Sequence, residues 1–269
     1  YDGKNIVPLK FSDNHPFGIS AKKAGQHMAL EALLTNPEDA PIVIIKGSAG
    51  TGKTLLSLAC GLNDTTYLRE DGKSYSQIMI TTPTETLRDE NLGFLPGEFE
   101  EKFDPYLGGI MDNLNILVSS NEKFKSKSAK RISESNSTSN KKDEKKSEKS
   151  SRQSTKVAVK RLFEQGTVVM QLIGHLRGRS IVDTIFIIDE AQNIEPSVIK
   201  SIVTRAGEGS KFVFIGDPTQ IDNPELNERY NGLVYLSEKM KGNPMCWQVT
   251  LDNEESIRSK LAYVAAKIL

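Results

Sequence analysis

The sequence has few cysteines, which form the disulfides of small secreted domains and bind zinc in domains stabilised by a metal ion. It contains two cysteines in 269 residues, Cys60 and Cys246, far apart and outside any CxxC or Cys/His cluster, which excludes a disulfide framework and leaves no zinc-binding spacing. No apolar run approaches the roughly 20 residues of a membrane-spanning helix, and the N-terminus lacks the basic and apolar regions of a signal peptide. We therefore expect a cytoplasmic protein without a membrane partner.

A net charge of one sign is also missing, since 35 Lys and Arg balance 35 Asp and Glu. The balance hides two unlike parts, because residues 121–156 hold twelve basic, five acidic and ten serine residues with only three hydrophobic ones. Such a stretch cannot bury enough apolar surface to offset its chain entropy, so we predict a disordered insertion of charge +7 in a core of charge −7. It is either a tolerated surface loop or a basic arm that captures nucleic acid.

Outside that segment, short apolar runs alternate with amphipathic stretches. The run IVIIK at 42–46 is typical of a strand buried on both faces of a parallel sheet. We predict further strands at 77–81, 184–189, 211–215 and 246–251, and helices at 21–34, 53–61, 196–205, 232–241 and 254–269. This order indicates an α/β fold with a doubly wound, mainly parallel sheet. It would form one domain, residues 21–120 and 157–269, after a lead-in at 1–20.

The segment after the first predicted strand is a full match to the phosphate-binding pattern GxxxxGK[ST]. Its residues are Gly47, Ser48, Ala49, Gly50, Thr51, Gly52, Lys53 and Thr54. The glycines allow backbone N–H groups and the next helix N-terminus to converge on phosphate oxygens. The Lys53 ammonium would contact the β- and γ-phosphates, and the Thr54 hydroxyl would coordinate Mg²⁺. The sequence therefore predicts a site for a nucleoside triphosphate.

Two later strands end in polar residues that belong at the same sheet edge. Asp189 and Glu190 follow the run IFII, and Gln220 ends the GDPTQ that follows KFVFI. Asp189 would hold the metal, and Glu190 would act as general base on the attacking water. Because binding alone needs only the first carboxylate, the pair favours hydrolysis. Gln220 would sense the γ-phosphate, and Gln26, in the helix before the first strand, is a candidate for an adenine contact.

Taken in order, these motifs and the segments between them resemble the PhoH-like family. The further shared segments are LGFLPG at 92–97, RGRS at 177–180, DEAQN at 189–193, TRAG at 204–207 and GDPTQID at 216–222. The resemblance implies a RecA-like P-loop ATPase core related to superfamily 1 helicases, hydrolysis of ATP with Mg²⁺ and, in members with an N-terminal PIN nuclease domain, RNA unwinding. It supports the adenine contact of Gln26 and implies a functional arginine at Arg258. One departure is Thr82, which stands where members usually carry an arginine.

The resemblance leaves one catalytic cation to be supplied. Charge on the transferring phosphoryl group needs a further positive group, which related two-domain helicases provide from their second core domain. Since this chain has room for one core domain, we expect a homo-oligomeric ring in which a neighbouring subunit provides Arg258 or Arg205. The expected partner is RNA or another single-stranded nucleic acid, with Arg177, Arg179 and the basic residues of 121–156 as candidate contacts.

Three other functions match parts of the sequence. NKKD at 140–143 formally matches the guanine-reading NKxD of GTPases, but it follows no predicted strand and lies in the low-complexity stretch. A metabolic kinase would need an acceptor pocket, whereas DEAQ with GDPTQ favours attack by water. The third is a stress-related ATP-binding or ATPase assembly factor without helicase activity, which the sequence leaves open.

Overall fold

The computed structural model describes residues 7–83, 99–121, 144–176 and 178–252. The strands are β1 Ile42–Gly47, β2 Gln77–Thr81, β3 Val168–Met170, β4 Thr184–Ile188, β5 Lys211–Gly216 and β6 Cys246–Leu251. The α-helices are α1 Ala24–Leu34, α2 Lys53–Thr66, α3 Phe99–Ser120, α4 Glu144–Glu164, α5 Pro196–Val203 and α6 Gly232–Lys239. Short 3₁₀ turns lie at Pro16–Gly18, Ile173–Leu176 and Ala191–Asn193. None of the helices in these ranges has the length and apolar character needed to cross a membrane.

Within the described residues, six strands form one parallel sheet in the order β3-β2-β4-β5-β1-β6. Because successive side chains of a strand point to opposite faces, Val43 and Ile45 of β1 pack into the core under α1, α2, α3 and α4. Ile42 and Ile44 pack into a second core under α5 and α6. Helices therefore cover both faces, and the predicted doubly wound α/β fold is confirmed.

All five predicted strands are present, with bounds that agree to within one residue. The observed helix bounds differ from the predicted ones by more than one residue. α1 begins at Ala24 because Lys23 is extended, with φ −135° and ψ 156°. α2 continues past Gly61 to Thr66, because a Cβ at Gly61 would lie 3.3 Å from the Ile78 side chain, so this glycine permits close contact with the sheet rather than ending the helix. The predicted helix at 254–269 lies outside the described residues.

The two longest helices, α3 and α4, and the short strand β3 have no counterpart among the predicted elements. Ile110, Leu114 and Leu117 of α3 are buried at helical spacing, but Gly108 and Gly109 interrupt the pattern in the sequence. Strand β3 has three residues and pairs only with β2 in the described sheet. Short edge strands carry little periodic signal, which explains why it escapes prediction.

The structure describes the segment predicted to be disordered, residues 121–156, only at residue 121 and from residue 144 onward. Its C-terminal part, 144–156, belongs to α4, whose following turns place Val159 and Leu162 in the core. Lys, Arg, Glu and Gln are good helix formers, so these polar residues extend a helix that its apolar end anchors. Residues 122–143, including the NKKD sequence, lie outside the described residues.

A buried lysine closes the C-terminal end of α1. Lys211, the first residue of β5, is fully buried, and its Nζ donates to the carbonyl oxygens of Ala32 and Leu33 at 3.1 and 2.9 Å and to that of Thr35. The last carbonyls of a helix lack partners within the helix, so this amine satisfies them. Burial lowers the pKa of Lys211 to about 7, although nearby Asp64 favours its charged form. Burial also raises the pKa of the Asp64 carboxyl to about 6.

Candidate active site

The segment between β1 and α2 is a loop that folds back on itself. Gly50 and Gly52 have φ values of 84° and 90°, in the left-handed region that favours glycine. Gly52 is the N-cap residue of α2 and brings no side chain to it, which leaves the N-terminal end of that helix available to an anion. The Lys53 Nζ donates to the carbonyl oxygens of Gly47 and Ser48 at 2.6 and 2.9 Å. An ammonium and a helix N-terminus therefore share one concave loop, as the motif predicts for a phosphate site.

The end of β4 brings a carboxylate to this loop. Thr54 Oγ1 donates to Asp189 Oδ2 at 2.9 Å, and Asp189 is only 8% exposed. Burial, followed by the charge of neighbouring Glu190, raises the pKa of Asp189 to about 6. The described residues hold no cluster of three or more His, Cys, Asp or Glu that could bind a metal by itself. One hydroxyl and one carboxylate instead fit Mg²⁺, which keeps several waters and takes few protein ligands beside substrate phosphates.

Glu190 stands at the turn that leaves β4 and has a left-handed backbone, with φ 51° and ψ 41°. Such a conformation costs a non-glycine residue about 1–3 kcal/mol and clusters at functional sites. The Glu190 N–H donates to Asp189 Oδ1 at 2.9 Å, which secures the turn. As a result, Asp189 is buried against the loop while the neighbouring Glu190 side chain is exposed, and the two carboxylates can take different roles.

Gln192 is a residue of the candidate site that the sequence analysis did not single out. It is 1% exposed, and its Nε2 donates both to Glu190 Oε2 at 2.6 Å and to the Gln220 carbonyl oxygen at 2.8 Å. Its Oε1 accepts from the Asp217 N–H at 3.1 Å. A Cβ at Gly216 would lie 2.1 Å from that oxygen, so any larger residue there would displace the end of the Gln192 side chain. Gln192 therefore connects DEAQ to GDPTQ, and its place in DEAQ was the only available signal.

The neighbouring residues reinforce this connection. Asn193 Nδ2 donates to Asp222 Oδ2 at 3.0 Å, and its Oδ1 accepts from the Asp222 N–H at 2.8 Å. Gln220 itself enters the network through its backbone, while its side chain is exposed. The role of the Gln220 side chain in sensing the γ-phosphate stays a prediction.

Gln26 lies against the phosphate-binding loop. It is 1% exposed, its Nε2 donates to the Thr51 carbonyl oxygen at 3.0 Å, and its Oε1 accepts from the Lys22 N–H at 2.8 Å. Both ends of the amide are thus engaged within the chain, and a contact with adenine would require one of these bonds to be exchanged. The adenine contact stays a prediction.

Two of the four candidate arginines, Arg179 and Arg205, belong to the described part of the chain. Arg205 is half-buried and lines a cavity that Glu190 also lines. Arg179 is exposed. Arg177 and Arg258 lie outside the described residues.

Two cavities meet at Glu190. One, of about 360 Å³, lies over the loop and is lined also by Asp189 and by Gly109, Ile110 and Asn113 of α3. The other, of about 820 Å³, shares both Glu190 and Thr82 with the first. Residues of the predicted phosphate site line the smaller cavity, while two residues with a predicted catalytic role, Glu190 and Arg205, line the larger one.

The chain is similar to known proteins over most of its length. The family model described as PhoH-like protein matches residues 18–269. The chain is 40% identical over 267 residues to Protein PhoH2 of Bacillus subtilis, covering 99% of this chain and 51% of that protein. It is 29% identical over 263 residues to Protein PhoH2 of Mycolicibacterium smegmatis (98% and 50%), and 30% identical over 251 residues to a PhoH-like protein of Bacillus subtilis (93% and 63%). The chain thus spans about half the length of these PhoH2 relatives.

Proposed function

Because the chain belongs to the PhoH-like protein family, we propose that it is a Mg²⁺-dependent ATPase that couples hydrolysis to remodelling or unwinding of RNA or another single-stranded nucleic acid, as a ring oligomer. The family and the RecA-like P-loop core support nucleotide binding. The observation that carries the hydrolase part is the contact of Thr54 with Asp189 at the phosphate-binding loop, with Glu190 next to it. A binding protein would need no second carboxylate at this point.

In the proposed complex, Lys53 exchanges its two loop carbonyls for β- and γ-phosphate oxygens. Thr54 and Asp189 would hold Mg²⁺, which when bound neutralises charge on the phosphates. Asp189 must be ionised to bind the cation, and because burial raises its pKa to about 6, metal binding would release a proton at pH values near or below 6. Gln26 would turn its amide from the Thr51 carbonyl to the adenine edge, which would report the base to the phosphate-binding loop.

Hydrolysis would proceed by attack of water on the γ-phosphorus. The water oxygen forms a bond to phosphorus, the bond to the β–γ bridging oxygen breaks, and the products are ADP and phosphate. Glu190 accepts the proton from the water. The bond from Gln192 holds one Glu190 oxygen in place, so that the other can face the water. Loss of the γ-phosphate would then be transmitted to the GDPTQ segment through the Gln192 side chain, which contacts Gln220 and Asp217.

The ring and nucleic-acid parts of the proposal are supported by charge. Arg205 is half-buried and lines the larger cavity, as Glu190 does, and Arg179 is exposed. Residues 122–143 carry seven basic and three acidic side chains, which suits contact with a polyanion. Arg258 remains the other candidate for the arginine supplied between subunits.

The hydrolase proposal is tested by phosphate release. We expect Mg²⁺-dependent release from ATP by the wild-type chain and a loss of about 10²-fold or more in Lys53→Ala and Glu190→Gln, since a general base contributes about 10²–10⁴. ATP binding should survive in Glu190→Gln, as measured by titration with a fluorescent ATP analogue. Unreduced hydrolysis in both variants would contradict the site assignment.

The remaining parts need separate assays. Single-stranded RNA and DNA should raise the rate of hydrolysis, and deletion of 122–143 should weaken their binding and its salt dependence while basal hydrolysis survives. An ATPase indifferent to every nucleic acid would match the stress-related assembly factor instead. Activity per chain should fall on dilution to demonstrated monomer. A constant rate there would exclude an arginine supplied by a neighbour.

A further inference from the structure

The larger cavity, of about 820 Å³, is lined by Glu190 and Arg205, but the proposed hydrolysis places no ligand in it. Its walls are mainly apolar and include Pro83, Leu172, Ile173 and Val198. Cavities of about 300–1,000 Å³ with apolar walls and a few placed polar groups are typical of small-ligand sites. This one is large enough for a planar organic group such as a nucleobase.

Two polar atoms on its wall lack partners within the described part of the chain. Asn223 is 3% exposed and its Oδ1 accepts from the Glu225 N–H at 3.1 Å, but its Nδ2 has no hydrogen-bond partner there. Thr82 Oγ1 is likewise out of contact with solvent and without a partner in the described ranges. Both residues line the cavity. Since buried polar groups are nearly always paired, they indicate a ligand that offers hydrogen-bond acceptors.

The charges around the cavity restrict that ligand further. Among the described residues, Glu190, Glu195 and Asp222 line it together with one cationic side chain, Arg205. A phosphate inside would meet this negative potential, whereas a neutral group would not. Nucleobases are neutral, planar and rich in carbonyl and ring-nitrogen acceptors, and asparagine commonly hydrogen-bonds their edges. A backbone phosphate could then remain outside, beside Arg205.

We propose that this cavity is a nucleobase-binding site. The base belongs either to a single strand or to a free nucleoside, and it hydrogen-bonds Asn223 and Thr82 while the apolar walls cover its faces. Because Thr82 and Glu190 line both cavities, occupancy is coupled to hydrolysis. This coupling rests on the proposed ATPase function, whereas binding of the base does not.

Two variants block the site without touching the phosphate-binding loop. Ser201 is exposed on α5 and lines the cavity, so Ser201→Trp places an indole in it. The matched control is Ser197→Trp, one turn earlier on the same helix, exposed, and outside the cavity lining. Asn223→Asp keeps the acceptor for the Glu225 N–H, removes the donor and adds a negative charge.

Asn227→Asp is the control for Asn223→Asp. Asn227 is exposed, and its Oδ1 accepts from the Arg229 and Tyr230 N–H groups in a similar turn. It does not line the cavity, so the substitution adds the same charge nearby without altering the proposed contact.

The experiment measures equilibrium binding of a labelled single-stranded RNA of about twelve nucleotides and of an abasic oligonucleotide of equal length. Loss of one base contact should weaken RNA binding about tenfold in Ser201→Trp and Asn223→Asp, with both controls close to wild type and the abasic probe unaffected throughout. Adenosine and uridine are added as competitors. Displacement of RNA by nucleosides identifies a site that also takes the free base, and displacement by excess RNA alone identifies a strand-bound base; either supports the proposal.

Several results would overturn it. The first is RNA binding that is equally tight in wild type, Ser201→Trp and Asn223→Asp. The second is binding of the abasic oligonucleotide that is as tight as binding of the RNA. The third is that wild type binds neither RNA nor nucleosides. A change of oligomeric state in Ser201→Trp but not in Ser197→Trp would assign the cavity to a neighbouring subunit and refute a base site. Basal phosphate release is measured in parallel: its presence in all four variants shows that the ATPase proposal stands whichever way the binding result falls.

Discussion

Replacing Lys211 by methionine should change how the stability of the protein depends on pH. The pKa of Lys211 falls from 10.5 to about 7 on folding because burial disfavours the ammonium. Between these two values the unfolded chain binds the proton and the native state does not. Stability therefore rises with pH in this window, since the unfolded state binds more protons. Lys211→Met removes the titrating group, so this rise should disappear.

The magnitude follows from the same two values. One proton is worth 1.36 kcal/mol per pH unit, and native Lys211 is about half protonated at pH 7. Between pH 7 and 8.5 the lysine should therefore add about 1.5 kcal/mol to the free energy of unfolding. The upper limit avoids pH values at which buried Cys60 and Tyr75, whose pKa values burial raises, would reverse the trend.

Urea unfolding at pH 7 and 8.5, followed by circular dichroism, measures the effect. The quantity of interest is the difference in stability between wild type and Lys211→Met, because other groups cancel in it. Lys200→Met is the control, since Lys200 is exposed on α5. A difference that does not change with pH would refute the burial argument for Lys211, and an equal change in Lys200→Met would attribute the effect to charge alone.

Three further substitutions test the active site. Gln192→Ala should lower the hydrolysis rate about tenfold or more with ATP binding retained, because Glu190 loses the donor that holds it; an unchanged rate measured by phosphate release would exclude this positioning role. Gly216→Ala should displace Gln192 from a contact of 2.1 Å, with a loss of stability of about 1–3 kcal/mol in urea unfolding; wild-type stability and activity would contradict it. Gln26→Ala should weaken binding of ATP more than GTP in a competition assay, whereas an equal loss for both would show that Gln26 only anchors Thr51.

The central strands could be predicted because their β-branched runs are buried on both faces and carry an unambiguous signal. The phosphate-binding loop and the DE pair could be predicted for a related reason. Their chemistry is encoded in consecutive residues, and parallel strands deliver those residues to one edge. Helix α3 escaped prediction because Gly108 and Gly109 dilute its apolar stripe, although the buried Ile110 and Leu114 follow helical spacing.

The connections within the site could not be predicted. Gln192 is distant in sequence from Gln220 and Asp217, and only the folded chain brings its amide to their backbone groups. The contact of Lys211 could not be predicted either. In the sequence it is an ordinary lysine at the start of a strand, but in the fold its Nζ donates to carbonyl oxygens at the end of α1. Composition predicted disorder across residues 121–156, but the last third of this segment is part of α4. The apolar residues that follow in α4 pack into the core, and this tertiary contact cannot be read from the composition of the segment.

The three bonds of Gln192 make its position a strict sequence constraint. One end of the side chain must donate twice, to Glu190 and to the Gln220 carbonyl, and the other must accept from the Asp217 N–H. A glutamate at this position would place a second negatively charged oxygen against Glu190. A lysine could not accept the hydrogen bond from the Asp217 N–H, and an asparagine side chain is one methylene too short to reach these partners. No other natural side chain combines this length with both polarities, so deamidation of a single buried amide would be enough to separate the two motifs.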